Sequence, residues 1–364
     1  MSIRKTVITG ILAILLVRSF SCVPKKTFFD PEKVKALDEL LTDLYEKREF
    51  NGVVLAAEKG KVIFKKAYGY AVFENRTPLS TKTPFYLASM AKQFTAMGIM
   101  ILEERGKLDY DDPMVNYLPG LPYKGVTIRH LLHHMGGLPE YPELVEKYRW
   151  DKSKIMDNDD LIALLKKYKP APLFQAGTRF RYSNTGYALL ASIIRKVSGR
   201  RYEVFLKETI FDPLDMRNSF ACNMKMDKCP QERAMGYAID RKRYEPYDLT
   251  YMDGVMGDGN VYCSADDLFK WDRALYTEKL VKKSTLRLAF TPGRLQDGRS
   301  TGYGFGWFIA SNGDIVWHGG SWRAFRTLIQ RDMATKSLLV FLDNSTTMYR
   351  RKITAGILNC LKKR

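Results

Sequence analysis

The sequence is poor in the residues that most metal and redox chemistry requires. It carries four histidines and five cysteines in 364 residues, with no C-x-x-C pair and no H-E-x-x-H, which excludes zinc sites of those types and dithiol exchange. His130, His133 and His134 lie close together in the chain without a partnering glutamate, so they read as packing and loop groups rather than metal ligands. Acids are scarce beside bases: 40 Asp and Glu stand against 59 Lys and Arg, a formal net charge of +19. The bases are scattered, as in Lys65-Lys66, Lys166-Lys167, Arg241-Lys242-Arg243 and Lys362-Lys363-Arg364. That pattern suits a soluble surface better than a nucleic-acid stripe. Beyond the first twenty residues no apolar run is long enough to span a bilayer. Internal repeats, low-complexity tracts and a separating linker are absent as well. At 45% hydrophobic and 12% aromatic residues the chain has ample material for a sizeable core.

What is present begins with a charged start, Arg4 and Lys5, followed by an apolar run from Thr6 to Val17. The run is short for a membrane span and reads as an export signal. Ser21 before Cys22 is similar to a lipoprotein cleavage site whose cysteine is acylated, with ordinary cleavage near Ser21 as the alternative. The expectation is a signal peptide over residues 1–22 and one domain over 23–364, exported to the periplasm or anchored to the membrane through lipidated Cys22. Nucleic acid is then not an expected partner. Cys222 and Cys229 bracket a short polar loop and are candidates for a bridge in an oxidising compartment, although spacing alone does not set the geometry.

Apolar spacing predicts a helix over Phe29 to Arg48, strands over Gly52 to Glu58 and Val62 to Phe73 joined by a tight turn, and a helix from Ser89 to Glu104. Residues 107–285, approximately, read as an inserted helical subdomain. Strand patterns return at Gly304 to Ala310, Ile315 to His318, Phe325 to Arg331 and Leu338 to Leu342, before a closing helix over Thr346 to Lys362. Strands at both ends and helices between them imply an α/β (α+β) fold. Its antiparallel sheet is built from the two chain ends and flanked by helices, with a cleft beside the insertion.

Three short segments carry chemistry. Ser89-Met90-Ala91-Lys92 places a hydroxyl and an amine on one helix face, where a lysine relieved of its charge can activate the serine. Tyr182-Ser183-Asn184 offers a phenol for proton transfer and an amide to orient the substrate or Lys92. His318-Gly319-Gly320 ends a predicted strand and is followed by Ser321; its glycines admit close approach to a substrate. Taken singly, each also reads as a capped helix start or a turn.

In this order and at these spacings the segments resemble the serine β-lactamase and penicillin-binding-protein superfamily, in its class C-like branch of D-alanyl-D-alanine carboxypeptidases, D-aminopeptidases and esterases. Leu131 to Pro139, Tyr182 to Gly199, Gly257 to Trp271 and Gly302 to Trp307 are similar to recurring stretches of that branch. The resemblance implies a β-lactamase/transpeptidase-like fold and an acyl-enzyme on Ser89, with Lys92 and Tyr182 sharing proton transfer in an order left open. It also implies an oxyanion hole from the backbone N–H groups of Ser89 and Ser321, Asn184 positioning the substrate, His318, Gly319 and Gly320 lining the site, and no metal or organic cofactor. The substrates implied are small peptides, amides or esters, possibly of the D-amino acid type found in cell walls. One departure is His318, where true class C enzymes have lysine; a partly charged imidazole holds a substrate carboxylate less firmly, so efficient lactam hydrolysis is not expected. An esterase of small acyl esters and a penicillin-binding or peptide-sensing protein that does not turn over are the alternatives.

Overall fold

The computed structural model describes residues 30–226, 229–230, 232–240, 243–346 and 350–362. The expected export signal over 1–22 and the acylated Cys22 lie outside the described residues. A six-stranded antiparallel sheet runs in the order Phe308–Ile309, Ile315–Trp322, Phe325–Asp332, Ser337–Asp343, Gly52–Glu58, Lys61–Tyr68. The two chain ends therefore meet in its middle, where Gly52 to Ala57 pair with Asp343 to Leu338.

Alternation along these strands divides the core in two. Val54, Ala56, Leu339 and Phe341 face Leu37, Leu41 and Leu44 of the helix Pro31–Glu46 and Ile353 and Ile357 of the helix Arg350–Lys362. Val53, Leu55, Val340 and Leu342 face the larger cluster. At its centre lies the helix Lys92–Glu104, buried on all sides from Lys92 to Leu102. A helix apolar all round is a core helix. Gly98 lets it close on the helix Asn184–Ser198, since a Cβ there would lie 2.8 Å from Ile194 Cδ1.

Several expected elements differ in the structure. The second strand is cut at Gly69 (φ +86), where a Cβ would strike the Asn51 amide, so the chain turns into a separate strand, Tyr70–Val72. Ser89 lies on a 3-10 turn, Ala88–Ala91, and the α-helix starts only at Lys92. The predicted strand over 304–310 shrinks to Phe308–Ile309, because Gly306 (φ +80) turns the backbone against Gln93. His318-Gly319-Gly320 does not end a strand but lies inside one, Ile315–Trp322, paired along its length with Asp332 to Phe325. The region expected to be helical also holds strands, among them Ser219–Ala221 and Val261–Cys263, which with Phe85–Tyr86 form a three-stranded sheet beside the Ser89 turn. Cys222 and Cys229 form a disulfide with Cα atoms 5.8 Å apart.

Candidate active site

Ser89 is held by the turn before it. Leu87 N–H donates to Val261 O at 2.8 Å and Leu87 O accepts from Thr327 Oγ1 at 2.8 Å, so the segment is pinned between the small sheet and the large one. Ala88 adopts φ +51, a left-handed conformation that costs a residue with a Cβ about 1–2 kcal/mol and that the surrounding hydrogen bonds enforce. Gly320 makes the approach possible, because a Cβ there would lie 2.1 Å from Leu87 O and 2.3 Å from Thr327 Oγ1. The strand therefore runs directly against the serine turn and presents Ser321 to the cavity that Ser89 lines.

Lys92 is fully buried. Its Nζ lies 3.2 Å from Ser89 Oγ, 2.9 Å from Asn184 Oδ1 and 2.8 Å from Asp258 O. Burial lowers its pKa to about 8, with the carboxylates of Asp258 and Glu140 opposing part of the fall. A neutral amine keeps two N–H bonds and one lone pair. Asn184 Oδ1 and Asp258 O can only accept, so they take the two hydrogens and the lone pair faces the Ser89 hydroxyl. The sequence offered Asn184 two roles, and in the structure its oxygen orients Lys92 while the residue also lines the cavity.

Tyr182 lies beneath the amine, with Lys92 Nζ 4.9 Å from its ring centroid. Its hydroxyl is out of solvent and has no hydrogen-bond partner among the described residues. Burial drives its pKa well above the ordinary phenol value, and neighbouring Ser89 opposes only part of that rise. It is a neutral phenol at physiological pH.

His318 departs from its expected place. It is 1% exposed and is absent from the cavity wall. Its Nδ1 faces Gly319 O at 2.8 Å and its Nε2 faces Tyr303 Oη at 3.0 Å. The carbonyl requires the proton on Nδ1, which leaves Nε2 to accept from the tyrosine. Burial, with Lys92 nearby, lowers the pKa to about 3. His318 is thus a neutral group inside the strand layer, and the expectation of a partly charged imidazole meeting a substrate carboxylate is corrected. Gly319 and Gly320 shape the strand behind the wall; of the four expected there, Ser321 alone lines the cavity.

The same cavity brings in groups to which the sequence reading gave no role: Tyr86, Tyr141, Asp253, Asp258 and Asn260. Asp258, buried and with its pKa raised, accepts from Tyr141 Oη at 3.2 Å. Glu140 accepts from the backbone N–H of Asn184 at 2.8 Å and so fixes the start of that helix. Asp258 had a visible signal, an acid between two glycines in Gly257-Asp258-Gly259. His130, His133 and His134 diverge: each is engaged separately, by Thr127 N, Tyr303 O and Ser183 N. Among the described residues no group of three or more His, Cys, Asp or Glu is placed to hold a metal ion.

The sequence model of the Beta-lactamase family matches residues 37–359. Penicillin-binding protein 4* of Bacillus subtilis (strain 168) is 40% identical over 326 residues, 86% of this chain and 72% of that protein. A D-aminopeptidase of Brucella anthropi is 27% identical over 279 residues, 76% of this chain and 52% of that protein. A solved penicillin binding protein from Bacillus halodurans superposes with a TM-score of 0.76 at 26% identity, covering 89% of this chain and 98% of that one.

Proposed function

The chain belongs to the beta-lactamase family and is a serine hydrolase, and from that premise we propose that Ser89 is its nucleophile and Lys92 its general base. The observation that carries this reading is the hydrogen-bond pattern around Lys92 Nζ, whose two obligate acceptors leave a lone pair for the serine hydroxyl. As Ser89 Oγ bonds to the substrate carbonyl carbon, its proton passes to Lys92 and negative charge develops on the carbonyl oxygen. The backbone N–H groups of Ser89 and Ser321 receive that charge, a contribution of about 3 kcal/mol per donor. The proton then passes to the departing amine or alcohol, and Tyr182, a neutral phenol, relays it. Water attacks the acyl-enzyme through the same base and releases the acid.

The substrate is an amide or ester of a small acyl group, of the kind that D-amino acid peptides present. This follows the likeness to the D-aminopeptidase and to the penicillin-binding proteins. Export belongs to the same reading: it rests on Arg4, Lys5 and the apolar run after them, and a disulfide between Cys222 and Cys229 accords with an oxidising compartment.

Labelling with a fluorescent fluorophosphonate, followed by intact mass and peptide mapping, tests the assignment. Wild type is expected to carry one adduct on Ser89, and Ser89→Ala none while retaining its folded spectrum. A label that persists in Ser89→Ala would place the nucleophile elsewhere.

A further inference from the structure

The cavity around Ser89 has a charge character that the mechanism does not use. Its wall carries two carboxyl groups, Asp253 and Asp258, and the aromatic side chains Tyr86, Tyr141 and Trp322, but no arginine or lysine among the described residues. Lys92, beneath it, is fully engaged by Ser89, Asn184 and the Asp258 carbonyl, and His318 is neutral and turned away. A substrate carboxylate finds no cation on this wall.

Of the two acids, Asp258 is committed to Tyr141 and to the environment of Lys92. Asp253 is not committed to the mechanism. It is 3% exposed; its Oδ1 accepts from Trp322 Nε1 at 2.8 Å and its Oδ2 from the Thr250 N–H at 2.6 Å. Tyr86 Oη lies 3.2 Å from Oδ1 and 2.6 Å from Asn260 Oδ1. One phenolic hydrogen cannot serve both, and the shorter contact takes it. The carboxylate is then left with two firm donors for about four acceptor sites, and among the described residues no ion pair brings a cation to it. The same lattice links Tyr86, just ahead of the serine turn, to Trp322, just after Ser321, so the acid spans the two walls that flank the nucleophile.

We propose that Asp253 is a specificity-determining residue that receives a protonated primary amine of the substrate, so that the hydrolase described above favours aminoacyl amides and esters with a free α-ammonium. An ammonium brings three donors and a positive charge to a carboxylate short of both. This rests on the assignment of Ser89 as nucleophile, and the test separates the two.

The rate of Ser89 labelling by a fluorophosphonate is measured under protection by alanine amide, of either hand, and by lactamide, its isostere with a neutral hydroxyl in place of the ammonium. Alanine amide is expected to protect wild type at a concentration about tenfold or more below lactamide, the difference of one charge-assisted hydrogen bond. Asp253→Asn, which keeps the size and the acceptor toward Trp322, is expected to bring the two within about threefold. Equal protection of wild type by both amides, protection by neither, or an unchanged preference in a folded Asp253→Asn would overturn the proposal. Should that variant not fold, the wild-type comparison still decides. Absence of labelling at Ser89 would instead count against the nucleophile.

Discussion

At the scale of single residues, the decisive contrast is between two groups that sequence alone left equivalent. Lys92 and Tyr182 were both candidates for the base. Burial acts on them in opposite senses of usefulness: it removes the charge of an amine and so frees a lone pair, whereas it keeps a phenol protonated. Lys92 must be neutral to act, so kcat/KM is expected to rise with pH and level off above about 8, the value to which burial brings its pKa. The Asp258 carboxylate raises that pKa. Asp258→Asn is therefore expected to move the acidic limb of the pH profile to lower pH, and an unmoved limb in an active variant would remove Lys92 from the role of base. Lys92→Ala is expected to lower kcat/KM by about 10²–10⁴-fold, the usual worth of a general base.

At this scale much of the site was legible. Ser89, Lys92, Tyr182 and Asn184 are drawn together from the positions the motifs marked. His318 was misjudged because a histidine's charge depends on burial, and an i, i+2 pattern on a strand does not tell which face is dry when neighbouring layers cover both. Asp253 and Tyr86 gave no signal: their meaning lies in a contact between residues 167 apart in the chain.

Elements explain why the motifs take the form they do. The glycine pair after His318 looks interchangeable in sequence, yet the two glycines meet different surroundings. A Cβ on Gly320 would lie 2.1 Å from the backbone oxygen of Leu87, whereas on Gly319 the nearest atom is the end of the Arg350 side chain at 3.3 Å. Backbone cannot yield as a long side chain can. Gly320→Ala is expected to cost about 1–3 kcal/mol in stability, as overpacking does, and to push Ser321 away from Ser89, with a loss of activity larger than the loss of folded protein. Gly319→Ala is expected to leave both nearly unchanged. Urea melts and kcat/KM on the two variants check this, and equal behaviour would contradict the close-approach account.

Element boundaries were the least legible feature for related reasons. Gly69 and Gly306 break strands only because Asn51 and the Lys92–Gln93 backbone occupy the space beside them, and short strands such as Phe85–Tyr86 are too brief to show a period. The long helices and central strands, with many repeats of their period, were placed well.

Across the whole molecule, the sheet is secured to the inserted region by buried polar contacts. Asn51 Nδ2 donates to Asn344 Oδ1 at 2.6 Å, and Asn344 Nδ2 to Met235 O at 2.7 Å. Arg331, 1% exposed, reaches Asp272 at 2.6 Å, joining a central strand to the helix Ala265–Ala274. Asp272 keeps a second cationic partner in Arg273, whose Nε donates to Asp272 Oδ2 at 2.8 Å, so Arg331→Met is expected to destabilise by less than the roughly 3–5 kcal/mol that breaking an isolated buried pair costs. Arg331→Met combined with Asp272→Leu is expected to recover part of that loss. Denaturant midpoints check both, and a single variant as stable as wild type would show that the pair contributes little.

The pairing of Gly52 to Ala57 with Asp343 to Leu338 also dictates an order of events. A growing polypeptide holds its first two strands for nearly three hundred residues before their neighbour is synthesised, and contacts so distant form slowly. The hydroxyl and the amine are local to each other from the outset, but the wall that completes their chamber arrives almost last. Hydrolytic competence is therefore a property of the finished polypeptide, and a ribosome that stalls before Ser337 releases a silent fragment rather than a partly active one.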